Sequence, residues 1–182
     1  MKLPNKKYNI IYADPPWQYN DRMKMQGVHG MIRGAESFYK TMNIKELKSL
    51  PIQNIADDNC YLFMWTTMPL LQEGLDTMRS WGFTYKTCGF TWVKKTKNNK
   101  THFGMGHYTR GNAELCLIGV KGKITRLDAS VSQIVEAEIK RHSQKPYEIR
   151  DKIVQLYGDL PRIELFAREK AEGWDSWGNE VK

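Results

Sequence analysis

At 182 residues, with 41% hydrophobic and 26% charged side chains, the chain reads as one globular domain over residues 1–182 with a sizeable core, which excludes a disordered or fibrous segment. No apolar run approaches the roughly 20 residues of a membrane helix, and no signal-peptide h-region follows the start, so the expectation is a cytoplasmic protein with no membrane partner. The 28 Lys and Arg against 20 Asp and Glu leave a net charge of +8, a field that attracts polyanions and points towards nucleic acid.

The first predicted element is a short buried strand, Ile10, Ile11, Tyr12 and Ala13, which stops at Asp14-Pro15-Pro16-Trp17. Two consecutive prolines have fixed φ and donate no backbone hydrogen bond, so the strand ends in a stiff turn rich in acceptors. Asp14, the neighbouring carbonyls and the ring of Trp17 suit a flat, amine-bearing ring: acceptors for its N–H groups and an aromatic face to stack on. Asp-Pro alone is ordinary turn chemistry; the whole tetrapeptide behind an apolar strand is a far more specific signal. The polar segment 18–40 follows, with Gly27, Gly30, Gly34, Arg22, Lys24 and Arg33, and its length and lack of periodicity predict a binding loop.

Asn43-Ile44-Lys45-Glu46 has the form of a capping box and predicts a short helix to about Leu50, before Pro51. Cys60 to Thr67 is a continuous apolar strand of the kind buried on both faces. A helix is expected from Pro69 to about Trp81 with Gly82 as its stop, then a strand from Tyr85 to Lys94 carrying Phe90 and Trp92. The run Lys94 to Lys100 is basic. Such a run is ordinarily a solvated face, but between two apolar strands of a basic chain Lys94, Lys95 and Lys97 become candidates for phosphate contact. Glu114 to Val120 reads as a buried strand, and Val131 to Lys140 as a short edge strand. Ser143 is expected to cap a helix through Pro146, Ile149, Ile153, Leu156 and Tyr157 that ends near Gly158, and Arg162 to Arg168 forms a late strand. Cys60, Cys88 and Cys116 sit singly among apolar residues with no ligand spacing to His29, His102, His107 or His142, so buried structural thiols and no metal are expected.

Strands alternating with helices predict an α/β domain around a mainly parallel sheet, in which ligands bind outside the carboxyl ends of the strands. Asp14 and Arg168 both stand at such ends, which places a site between them.

Read in order, Asp14 to Trp17, Phe63-Met64-Trp65, Thr91-Trp92-Val93-Lys94, Glu114 to Gly119, Ser143-Gln144-Lys145-Pro146, Glu164 to Arg168 and Trp174 to Glu180 resemble the DPPW-type N6-adenine methyltransferases. These S-adenosylmethionine-dependent enzymes include the catalytic subunit of the messenger-RNA adenosine methyltransferase and bacterial and phage DNA adenine methyltransferases, and the likeness covers nearly the whole chain. It implies a Rossmann-like sheet in permuted order, catalytic strand first and cofactor strand last, which accounts for the missing G-x-G-x-x-G. By resemblance, Asp14, Pro15, Pro16 and Trp17 are catalytic. Lys145, Arg168 and Asn179 hold S-adenosylmethionine, with Glu164 and Glu180 at its ribose and Asp14 near its amino-acid end. Trp17 and Tyr39, then Trp92, line or stack on the target adenine, and Glu114 stands with them on the substrate side. The resemblance implies transfer of a methyl group to N6 of adenine, with Asp14 and the Pro15 carbonyl accepting the amine hydrogens. DNA is the first substrate reading, because the compact chain shows no RNA-binding module such as a zinc finger. RNA, or an inactive nucleic-acid-binding partner subunit, are the alternatives, and the family admits both homodimers and heterodimers. The sequence departs from some relatives at Lys170 and Glu180, where they carry histidine and glutamine, and longer relatives have chain ahead of the catalytic strand that helps hold the cofactor's adenine.

Overall fold

The computed structural model describes residues 2–18, 41–104, 108–140 and 144–181. Along them run β1 (Tyr8–Ala13), α1 (Ile44–Ser49), β2 (Ala56–Thr66), α2 (Leu71–Ser80), β3 (Thr84–Lys95), β4 (Ala113–Lys121), β5 (Ile134–Glu138), α3 (Glu148–Tyr157), β6 (Arg162–Leu165) and β7 (Asp175–Trp177). One sheet takes in the seven strands in the order β5-β3-β4-β2-β1-β6-β7. β1 runs parallel to β2 and β6, β6 to β7 and β3 to β5, whereas β4 is antiparallel to both of its neighbours. The α/β fold with a mainly parallel sheet is therefore present. β4 can reverse because an antiparallel neighbour needs no crossover helix. Its reversal matters for the site: β4 begins at the edge where β1, β2, β3 and β6 end, with Leu115 opposite Thr66 and Glu114 opposite Trp92.

The sheet is covered on both faces, which is why its strands read as continuous apolar runs instead of alternating ones. Ile11, Ala13, Leu62, Met64, Leu117, Ile163 and Leu165 pack on one side with Leu47 of α1, Met78 of α2 and Trp81. Ile10, Tyr12, Phe63, Trp65, Phe90, Trp92 and Cys116 pack on the other with Ile149, Ile153 and Tyr157 of α3. Because β1 alternates with period 2, Asp14 follows Tyr12 onto the α3 side of the sheet edge.

Local chemistry sets the ends of the elements. The capping box at α1 is present in full: Glu46 N–H donates to Asn43 Oδ1 at 2.9 Å and Asn43 N–H to Glu46 Oε2 at 3.1 Å. Pro69 falls in a 3-10 turn over Met68–Leu70, so α2 begins two residues later than expected, and Gly82 ends it at φ +85°. β2 starts at Ala56, four residues ahead of the apolar run, because Ala56 pairs with Tyr8 in spite of the polar Asp57, Asp58 and Asn59 that follow. β6 stops at Leu165, since Phe166 takes a left-handed φ of +60° and turns the chain out of the sheet. The start expected for α3 is corrected: its N-cap is Tyr147, with no side-chain capping bond, and Ser143 lies outside the described residues. Pro146 explains the delay, because it biases the residue before it towards extended backbone, and that residue is Lys145. β5 is an edge strand, as expected, with Val135 turned inward. Among the described residues no helix is long and apolar enough to cross a membrane.

Candidate active site

β1 delivers Asp14 to the sheet edge, and the next three residues are fixed from behind. Trp17 N–H donates to the Pro15 carbonyl at 2.8 Å, Met42 N–H to the Pro16 carbonyl at 2.9 Å, and the Trp17 indole N–H to the Trp65 carbonyl at 3.0 Å. The turn is thus tied to β2 and to the chain entering α1. A carbonyl oxygen has two lone pairs, so that of Pro15 keeps acceptor capacity after serving Trp17. Trp17 itself is 4% exposed and belongs to the core cluster with Ile11, Leu62 and Met64. The ring expected to stack on the target is packed inside, where it holds the turn.

In front of the turn stands a chain of alternating charges drawn from four parts of the fold. Lys145 Nζ, from the segment before α3, lies 2.8 Å from Asp14 Oδ2 and 3.3 Å from Glu114 Oε2 at the start of β4. Lys94 Nζ, near the end of β3, lies 2.5 Å from Glu114 Oε1. Two carboxylates and two ammoniums cancel, which lets the group sit largely out of water: the side chain of Lys145 is 9% exposed and that of Glu114 14%. Lys145 also lies over the Trp65 ring at 5.6 Å, and the Trp65 indole N–H donates to the Tyr12 hydroxyl at 2.6 Å. Burial holds the Asp14 carboxyl above the usual carboxylate range and outweighs the pull of Lys145. For Glu114 burial pushes upward too, but Lys145 and Lys94 together outweigh it and hold the group below its ordinary value. Burial alone would lower Lys145, yet Asp14 and Glu114 raise it, so it stays charged.

A second wall rises from β6 and β7. Glu164, 8% exposed, takes Arg150 of α3 in a bidentate pair, 2.6 Å from Nε and 3.1 Å from Nη2, and Arg150 also reaches Glu169 at 3.6 Å. Burial raises the Glu164 carboxyl, with Arg150 pulling the other way. Arg168 Nε lies 3.7 Å from Glu180 Oε1, and its charge is felt at Asp14. These residues meet because the β6 exit crosses the β7 exit closely: a Cβ on Gly178 would sit 2.1 Å from the Ala167 carbonyl oxygen. Only glycine fits there, and Asn179 and Glu180 follow it on the exposed side.

The MT-A70 family model matches residues 8–180. The chain belongs to the MT-A70 family, a family of methyltransferases. This MT-A70 chain is 39% identical over 193 residues to the type II methyltransferase M.MunI of Mycoplasma sp, an alignment that takes in 99% of the chain and 80% of that protein. It is 29% identical over 180 residues to the N(6)-adenosine-methyltransferase MT-A70-like protein of Drosophila melanogaster and to the N(6)-adenosine-methyltransferase catalytic subunit METTL3 of Homo sapiens. Those two alignments take in 96% of the chain but 27% and 28% of the relatives.

Of the residues expected at the site, the MT-A70 fold brings Asp14, Lys145 and Glu114 into contact, and sets Glu164, Arg168 and Glu180 at the neighbouring strand ends. Trp92 is 2% exposed, donates its indole N–H to the Ala137 carbonyl at 2.9 Å, and like Trp17 turns no open face outward. Of the lysines expected at phosphate, Lys94 and Lys95 lie in cross-strand ion pairs, Lys94 with Glu114 and Lys95 with Glu136 at 3.0 Å, and Lys97 alone of the three is exposed. Tyr39 and most of the expected binding loop lie outside the described residues. Arg150 went unnoticed in the sequence, and no local signal marks it: an arginine beside Ile149 on an amphipathic helix reads like any charge on the helix's polar face. A cavity of about 250 Å³ adjoins Lys145, between Ala137 of β5, Lys140 just beyond it and Tyr147 before α3.

Proposed function

We propose that this chain transfers a methyl group from S-adenosylmethionine to N6 of adenine in DNA. The observation that carries the reading is Asp14, fixed at the carboxyl end of β1 in a turn locked by Trp17 and paired with Lys145 at 2.8 Å. The donor set fits the cofactor chemically. Lys145 and Arg168 offer cations to a carboxylate, and Asp14, Glu164 and Glu180 offer acceptors to an ammonium and to ribose hydroxyls. The permuted order, catalytic β1 first and cofactor strand β6 late, belongs to the same reading. When bound, S-adenosylmethionine supplies an electrophilic methyl group and keeps the carbon–sulfur electron pair as a neutral thioether.

The protein's task is then to make a poor nucleophile attack. The lone pair of the adenine amine is delocalised into the ring; with one hydrogen accepted by Asp14 and the other by the Pro15 carbonyl, the nitrogen turns pyramidal and its lone pair faces the methyl group. As the nitrogen–carbon bond forms the amine becomes cationic, and the carboxylates of Asp14 and Glu114 stabilise that charge. The surplus proton passes to Asp14, whose carboxyl is held high by burial, and on to water. In duplex DNA the base must first leave the stack.

The choice of DNA rests on the 39% likeness to a type II methyltransferase that the chain covers for 80% of its length. RNA is the second reading, favoured by the relatives named for N(6)-adenosine, at 29% identity. Incubation with methyl-labelled cofactor and matched DNA and RNA separates the two. Label in DNA is expected; label in RNA alone overturns the substrate, and no label together with no cofactor binding by calorimetry indicates an inactive partner subunit.

A further inference from the structure

Lys94 is two residues beyond Trp92 on β3 and therefore on the same face of the sheet, the face that carries Glu114 and the site. A lysine serving the phosphate backbone would extend into water. This one lies over the Trp92 ring at 5.2 Å and ends 2.5 Å from Glu114 Oε1, its side chain 21% exposed. Glu114 turns its other oxygen to Lys145, and Lys145 closes on Asp14 Oδ2. Lys94 thus stands two charges away from the proposed reacting group, joined to it by contacts of 2.5, 3.3 and 2.8 Å.

We propose that Lys94 is a positioning residue for methyl transfer: it anchors Glu114, so that Lys145 is shared between two carboxylates and Asp14 keeps its acceptor capacity for the amine. The inference rests on the methyl-transfer reading above. Glu114 is faced by Lys94 from β3, by Lys145 from the segment before α3 and by Asp14 from the end of β1. Burial is the largest influence on Glu114 and favours its neutral form; two ammoniums are what hold it ionised. With Lys94 gone, Glu114 either takes a proton or draws Lys145 away from Asp14. The first removes a negative charge from the place where the amine becomes cationic; the second leaves the buried Asp14 without the ammonium that favours its ionised, accepting form.

Lys94→Met tests this against a phosphate contact. A positioning role lowers kcat about tenfold, moves the acid limb of the pH–kcat profile to higher pH, and leaves KM for DNA and its salt dependence unchanged. Lys94→Arg restores part of kcat and of the acid limb. A raised KM and a salt slope reduced by about 1, with kcat and the acid limb unmoved, overturns the proposal in favour of phosphate contact. Urea unfolding against pH, without cofactor or nucleic acid, gives a readout that does not depend on activity. Because the folded-state value of Glu114 is depressed, its contribution is present above the unfolded value and lost as pH falls through the folded one. That loss moves to higher pH in Lys94→Met and back in Lys94→Arg; Lys94→Gln substitutes should the methionine variant fail to fold. Wild-type protein that methylates neither DNA nor RNA refutes the functional reading alone, and an unshifted unfolding profile then refutes the role of Lys94.

Discussion

Trp17 holds the Asp14 turn from behind, and its indole N–H contact to the Trp65 carbonyl carries a measurable share of that work. Trp17→Phe keeps an aromatic ring in the core but leaves the Trp65 carbonyl without the indole donor, at a cost of about 1 to 3 kcal/mol in urea unfolding. As a lock on Asp14, the same change lowers kcat and leaves KM for nucleic acid near the wild-type value; a stacking residue would raise KM instead. The place of Asp14 at the end of β1 was legible from sequence, because two prolines directly after it close an apolar strand. Trp17 was legible as a neighbour of the site but not as a core residue, since an aromatic after a turn reads the same facing in or out. The Lys94–Glu114 pair was not legible at all. It depends on the reversal of β4 and on two irregularities in the β3–β4 register, at Tyr85/Thr87 and Cys88/Phe90.

At the scale of elements, α1 is a six-residue helix that does not persist on local propensity and is held by its cap and by burial of Leu47. Asn43→Ala removes the acceptor for Glu46 N–H and is expected to cost about 1 kcal/mol in urea or thermal unfolding. Because Met42 N–H ties this end of α1 to the Pro16 carbonyl, local loosening there should also be seen as faster amide exchange at Met42. The strands were legible where both faces are buried and the apolar run is unbroken, as in β1 and β4. The early start of β2 was not, because three polar residues are carried into the sheet by pairing at Tyr8. The late start of α3 has the same character: Pro146 and the demand for Lys145 at Asp14 override a local capping signal.

At the scale of the whole molecule, the sheet gathers one end of β1, β4 and β6 and the approach to α3 at a single edge, and each contributes a charged side chain to it. The basic surplus of +8 draws a polyanion towards the chain, while the site itself is locally neutral. In the proposed reading that division separates binding from chemistry, which is assigned to Asp14. The most direct measurement is mass spectrometry of nucleosides from DNA incubated with S-adenosylmethionine and either wild-type protein or Asp14→Asn, which keeps the side-chain shape and leaves Lys145 paired with Glu114. N6-methyladenine is expected with the wild type, and a rate lower by roughly 100- to 1,000-fold with Asp14→Asn at unchanged secondary structure. Wild-type rates in Asp14→Asn, or a methyl group on any atom other than adenine N6, would contradict the account.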